Sequence, residues 1–298
     1  MSRISAKRRW RDSGLALLML GPSGIILAMF VIYPLVKAVI LGRLRCNPTG
    51  NCPTTGGWQQ YVDAFRSNEF QDALIVTLKY ALITVPIGLF LGIGLAVLAD
   101  KYIKGIGIFR TIFSSTVATS VAVASVMWFF LLNPNVGVLA DWIGGVAKTP
   151  GLLQSPSTAL WAVSASSIWA NLGFTFIVVT AALQSVPKDL YESAYVDGAN
   201  GFTRFTNVTA PIISPVLLFV TVVLTARAFE GYGEIDLLTG GGPKAKTTTI
   251  TYLAYGKGLP TSIDDGLRAT VTVLLFFVLL VLALVQFRGL EKRVHYGN

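Results

Sequence analysis

The chain has 298 residues, 53% of them hydrophobic and only 13% charged, with a mean hydropathy of +0.63. Soluble globular chains carry roughly 25% charged residues, so this composition cannot cover a water-exposed surface and excludes an ordinary soluble domain. The formal charge of +9 does not indicate nucleic acid, because the basic residues crowd at the ends of apolar runs, where they hold helix ends on the cytoplasmic side of a membrane.

Residues 1-13 form a basic N-terminus with Arg3, Lys7, Arg8, Arg9 and Arg11. The apolar stretch that follows, Leu15–Leu41, is longer than a signal-peptide core of roughly 7–15 residues. Residues 14-42 are therefore expected to be an uncleaved first transmembrane helix, and residues 43-72 an extracytoplasmic loop. That loop carries Cys46 and Cys52, the two cysteines of the chain. An outer compartment permits a disulfide between them; two free thiols are the other reading, and without a nearby histidine they make a poor zinc site.

Residues 73-287 are expected to form the core of the protein. About 20 apolar residues cross a bilayer, and further stretches of this kind lie near Ala73–Leu98, Thr111–Leu132, Ala159–Leu183, Ile212–Phe229 and Ala269–Phe287. With the first helix, these make about six transmembrane helices in an all-α membrane protein. The fifth begins at Pro211 and Pro215, which is compatible with a first helical turn. With the N-terminus inside, Lys101, Lys104, Arg110, Lys188, Arg204, Arg288, Lys292 and Arg293 also fall inside. The longer outer loops carry basic residues at lower density. The positive-inside rule thus places both termini, including the tail 288-298, in the cytoplasm.

Between the fourth and fifth helices, residues 184-210 are too rich in helix formers and caps for a plain connection. Pro187 and Asp189 read as a helix start, with Leu190, Tyr191, Ala194 and Tyr195 at helical spacing. Gly198, free to adopt positive φ, breaks the helix, and Phe202, Phe205 and Val208 lie at the spacing of a second amphipathic piece. Two short helices at a sharp angle are expected on the cytoplasmic surface, with an apolar face seeking lipid headgroups or a partner protein.

Ionisable residues at membrane depth mark a candidate pathway. Arg227 and Glu230 stand in the fifth helix, where they either pair at helical spacing or face a substrate. Lys37 and Lys79 lie near helix ends and are read as snorkelling to the interface. The chain lacks a Walker A pattern, its one histidine is His295 in the tail, and no metal-ligand cluster or hydrolase constellation appears.

Glu192-Ser193-Ala194, Asp197-Gly198-Ala199, Phe205, Val208 and Pro211 resemble the EAA loop of ABC importer permeases, with Ser193, Val208 and Ala210 as mild departures. Ile235 to Pro243, with Leu238-Thr239-Gly240-Gly241-Gly242-Pro243 at its end, is similar to the Leu-Thr-x-Gly-Gly-Pro stretch of the carbohydrate-type members. Gly233 stands where the family often has aspartate. Together with the tail from Gln286 to Tyr296, this last third is most similar to the permeases of glycerol-3-phosphate importers.

The resemblance implies a type I importer permease fold of the MetI-like kind, with a cytoplasmic coupling helix. It implies that Glu192, Ala194, Asp197, Gly198, Ala199, Phe205 and Pro211 couple the chain to an ATPase. It also implies a substrate pathway with Arg227, beside which Glu230 is a candidate by its charge, and with Trp169, Asn171, Gly173 and Phe176 on another helix, although helix packing is the commoner role for each of the latter residues. The partners implied are a second homologous permease, two copies of an ABC ATPase that binds ATP and Mg, an extracytoplasmic substrate-binding protein and membrane lipid. The chain itself would hold no cofactor and perform no bond chemistry. Glycerol-3-phosphate or glycerophosphodiesters such as glycerophosphocholine lead as substrates, with di- or oligosaccharides such as trehalose or maltose as the alternative. An ATP-independent secondary transporter is the reading from a different class; no inverted repeat supports it.

Overall fold

The structure, a computed structural model, describes residues 18–45, 54–100, 104–139, 151–257 and 265–291. The chain divides into two compact units, one formed by residues 1–65 and 262–274 and the other by residues 66–261 and 275–298. The Cys46–Cys52 pair lies outside the described residues.

In the first unit, α1 (Leu18–Leu41) is long and apolar enough to cross a membrane, and its apolar window buries nothing. After it, β1 (Leu44–Arg45) pairs antiparallel with β2 (Thr54–Thr55), and α2 (Gln59–Arg66) follows. Tyr61 on α2 donates to the Val39 carbonyl at the end of α1, 2.9 Å. Arg45 faces Asp63 at 3.6 Å and the Arg43 guanidinium lies 5.0 Å from the centre of the Trp58 ring. These are surface contacts of small energy.

The second unit is built on α3 (Asn68–Ala99) and α6 (Ala159–Gln184). Ser67 caps α3 by accepting from the Phe70 amide. Helices in lipid associate through close packing of small residues, and α3 meets α6 in this way: a Cβ on Gly92 would stand 2.7 Å from Thr175 Cβ. One core cluster gathers Tyr80, Val163, Val220, Leu224, Phe229 and Ile235; a second holds Ala96, Phe176, Val179, Leu183 and Ile213.

Threonine hydroxyls inside the helices bond back to their own backbone and also link neighbours. Thr77 donates to Ala73 O and accepts from the Ile250 amide at 2.9 Å. Thr225 donates to Thr221 O and accepts from Gln286 Nε2 at 2.8 Å.

The third apolar stretch departs from the expected single helix over Thr111–Leu132. It is broken into α4 (Ile106–Ser115) and α5 (Val121–Leu131), bent by 106°. The break has a local cause: Thr119 is extended, and Ser120 caps α5 by accepting from the Val123 amide. The hydroxyls of Ser114, Ser115, Thr116, Thr119 and Ser120 compete with helix continuation, a signal that a hydropathy average hides.

The fifth stretch starts later than expected. α7 (Lys188–Val196) and α8 (Gly201–Ile212) precede α9 (Ser214–Glu230), with a 77° bend between α8 and α9. Pro215 occupies the first turn of α9, where its missing N–H has no helical partner to lose. α10 (Gly233–Leu238), α11 (Ile250–Ala254) and α12 (Asp265–Glu291) complete the described chain. Among the described residues four helices are long and apolar enough to cross a membrane, and up to six spans result if each bent pair counts as one.

Candidate functional site

Two places collect the residues that the sequence singles out. The first is the hairpin of α7 and α8. α7 ends at Val196, the Asp197 amide still bonds the Ser193 carbonyl, and Gly198 turns the chain with φ +75°. A non-glycine residue in that conformation costs roughly 1–2 kcal/mol, which explains glycine here. Asn200 then caps α8, its Oδ1 accepting from the Thr203 amide and hydroxyl at 2.9 and 3.0 Å.

The tip between the two helices is apolar and open. Tyr195, Val196 and Phe202 are 72%, 84% and 77% exposed, and Glu192 and Asp197 are exposed beside them. Phe205 and Val208 are half-buried rather than sharing the outer face with Phe202. A widened π-helical turn over Phe205–Thr209 shifts the helical register of the residues that follow Phe205 by a fraction of a turn. Pro211 closes this element in the last turn of α8. Ala194 and Ala199 are half-buried at the inner side of the turn.

The second place is a cavity of about 550 Å³. Its walls are the α4–α5 break (Val117, Thr119, Ser120), α5 (Ala124, Ser125), the middle of α6 (Ser166, Ser167, Asn171), the end of α9 (Arg227, Glu230) and the following turn (Tyr232, Glu234). The lining is rich in hydroxyls and carries one guanidinium and two carboxylates. Arg227 Nη1 donates to Asn171 Oδ1 at 2.7 Å, and its guanidinium lies 4.4 Å from the centre of the Phe174 ring. Among the described residues Arg227 makes no ion pair with Glu230. Glu234 accepts from the Tyr80 hydroxyl at 3.1 Å. The Ser125 hydroxyl is buried and has no hydrogen-bond partner among the described residues.

The structure thus brings Arg227, Glu230 and Asn171 to one polar cavity. Trp169, Gly173 and Phe176 lie elsewhere on α6. Trp169 packs edge-on against Trp128, ring centres 6.5 Å apart. Gly173 is the seat of the α4–α5 break: a Cβ there would stand 2.8 Å from Val117 N and 2.9 Å from Phe113 O. Phe176 is buried at 1% exposure against Phe109 and Phe113. Glu234 and Ser125 were not legible as lining residues, nor was Tyr80 as the partner of Glu234, since 154 positions separate the two and nothing local pairs them.

The glycine-rich motif forms a loop next to this region. Gly240 and Gly241 have φ +58° and +78°, and the hydroxyls of Thr247 and Thr248 donate to the carbonyls of Gly242 and Gly241. A Cβ on Gly241 would come within 2.6 Å of the Tyr252 ring, so this glycine serves both conformation and close approach. Tyr252 stacks on Tyr232, which lines the cavity.

In the second unit, apolar helices long enough to span a membrane surround a polar cavity and carry an exposed amphipathic hairpin, features that suit a membrane-embedded transport subunit. Residues 61–296 match the family described as binding-protein-dependent transport system inner membrane component, and the chain belongs to that family. It is an ABC importer permease of the carbohydrate type, with the MetI-like fold that its sequence resembles. The sn-glycerol-3-phosphate transport system permease protein UgpA of Salmonella typhimurium is 32% identical over 293 residues, covering 98% of this chain and 99% of that protein. The UgpA of Agrobacterium fabrum is 31% identical, covering 94% and 96%. Among solved structures, a bacterial ABC transporter involved in the import of the acidic polysaccharide alginate has a chain 26% identical to this one. That match has a TM-score of 0.78 and covers 96% of this chain and 99% of the other.

Proposed function

We propose that the chain is one of two homologous permeases forming a pore for glycerol-3-phosphate or glycerophosphodiesters such as glycerophosphocholine. Both termini lie in the cytoplasm of a bacterium whose plasma membrane holds the complex. An extracytoplasmic binding protein delivers substrate, and two copies of an ABC ATPase, which hold the ATP and Mg, receive the α7–α8 hairpin. This chain cleaves no bond; it offers a passage whose access alternates. The observation that carries the substrate reading is Arg227. Its guanidinium lines the cavity with an amide as its hydrogen-bond partner, not a carboxylate, and a planar fork of donors suits a phosphate. The full-length likeness to UgpA supports the same class.

The exposed apolar tip carries the coupling reading. Tyr195, Val196 and Phe202 project into solvent beside Glu192 and Asp197, an arrangement that gains by burial in a protein cleft.

The test is ATPase activity of the whole complex in proteoliposomes with its binding protein, comparing glycerol-3-phosphate, glycerophosphocholine, maltose and trehalose. Stimulation by the phosphate esters is expected. Arg227→Ala is expected to lower it by about ten- to a hundredfold, the range for a hydrogen bond to a charged group. Stimulation by a disaccharide alone overturns the phosphate reading and favours oligosaccharide import, which the alginate-transporter likeness supports. Absence of any stimulated ATPase overturns coupling to ATP.

A further inference from the structure

We propose that Tyr191 and Thr209 form a hydroxyl clamp that positions the coupling hairpin and sets how efficiently ATP hydrolysis drives transport; this rests on the coupling reading above. The two hydroxyl oxygens stand 3.0 Å apart and join the outward arm, α7, to the returning arm, α8. Thr209 is 3% exposed, and its hydroxyl also reaches the Arg204 carbonyl at 3.5 Å. Either hydroxyl can donate in the Tyr191–Thr209 bond. Reaching five residues back, where an ordinary helix would offer the carbonyl four back, is a consequence of the π-helical turn at Phe205–Thr209.

Two further features give the clamp mechanical meaning. The base of the hairpin is hollow: a cavity of about 320 Å³ lies there, lined by Tyr191 and Thr209 together with Asp100, Leu183, Arg204 and Phe205. Packing between the arms is incomplete beside that cavity, and a directional bond adds a constraint there. The returning arm also leads straight to the transport cavity, because α8 runs through the 77° bend into α9, whose last turn carries Arg227 and Glu230. A displacement of the hairpin tip reaches that turn through a rigid element only if the arms move together. Tyr191 is thus a positioning residue, with no contact to ATP or substrate required of it.

The experiment uses the full complex with its binding protein in proteoliposomes and counts ATP hydrolysed per glycerol-3-phosphate imported. Tyr191→Phe keeps the ring and removes the hydroxyl; Thr209→Val keeps the shape and removes the other hydroxyl. Each is expected to leave ATPase activity near wild type while uptake per ATP falls about three- to tenfold, the scale of one lost hydrogen bond. The double variant should be no worse than either single one, because the two remove the same contact. Thr209→Ser, which keeps the hydroxyl, should retain wild-type coupling. An unchanged ratio in both single variants overturns the clamp. So does a parallel loss of ATPase and uptake that Thr209→Ser shares with Thr209→Val. A wild-type complex whose ATPase ignores substrate and binding protein overturns the coupling reading itself, so the two failures are distinguishable.

Discussion

Gly173 on α6 is where a single methyl group should do the most damage. The α4–α5 break rests on it so closely that a Cβ would stand 2.8 Å from Val117 N and 2.9 Å from Phe113 O. Both are backbone atoms and cannot rotate away. Gly173→Ala must therefore push the break outward, and overpacking of this kind costs about 1–3 kcal/mol. At about 2–4 °C per kcal/mol for a chain near this size, the purified protein should melt roughly 2–12 °C lower at a fixed heating rate. The displaced segment includes Val117, Thr119 and Ser120, which wall the cavity, so uptake should fall with stability. Gly94→Ala on α3 is the control. A Cβ there meets nothing within 4 Å, and alanine favours a helix over glycine by about 0.8–1.0 kcal/mol, so the melting point should rise. Equal effects of the two substitutions, or a Gly173→Ala protein melting at the wild-type temperature, would refute the close-approach account.

Three other substitutions test backbone conformation, close approach and helix capping. Gly241→Ala meets both a φ of +78° and the Tyr252 ring; it should destabilise by about 2 kcal/mol or more, measurable as a lower melting temperature. Gly198→Ala faces open space but keeps a φ of +75°. Its cost of about 1–2 kcal/mol should appear as lost uptake per ATP, with little change in melting, because the hairpin tip is exposed. Arg110 donates through Nε and Nη2 to the Ala99 carbonyl, 3.1 and 2.7 Å, closing the C-terminus of α3. Arg110→Ala should speed amide exchange in the last turn of α3 by about tenfold or more, on the scale of a charged hydrogen bond, and Arg110→Lys should restore part of the protection.

How far the sequence was legible depended on whether a feature was local. α3, α6 and α12 were visible as long apolar runs, and the hairpin was visible because Pro187, Asp189 and Gly198 carry their conformational preferences with them. The α4–α5 break was missed for a different reason. Its hydroxyl residues are only moderately polar, so a hydropathy window runs across them. The site divided in the same way. Arg227 and Glu230 were conspicuous as charges in an apolar run. Their relation was not: Arg227 bonds Asn171, 56 positions away, instead of the carboxylate one turn along its own helix. Gly173 illustrates the opposite error. A glycine beside an aromatic reads equally well as a substrate subsite or as a packing contact, and only the neighbouring backbone of Phe113 and Val117 distinguishes the two.

The threonines of the bundle have a further consequence. A hydroxyl has one proton, and Thr77 and Thr225 commit theirs to the carbonyl one turn back on their own helices. Toward the rest of the protein each is then an acceptor alone, and any partner must be a donor: the Ile250 amide in one case, the Gln286 side-chain amide in the other. These helix–helix links therefore have a polarity, with lone pairs on one side and protons on the other. Two threonines bound in this way cannot serve one another across an interface. Serine preserves the polarity, whereas valine, nearly identical in shape, leaves the facing amide without its acceptor at a buried position.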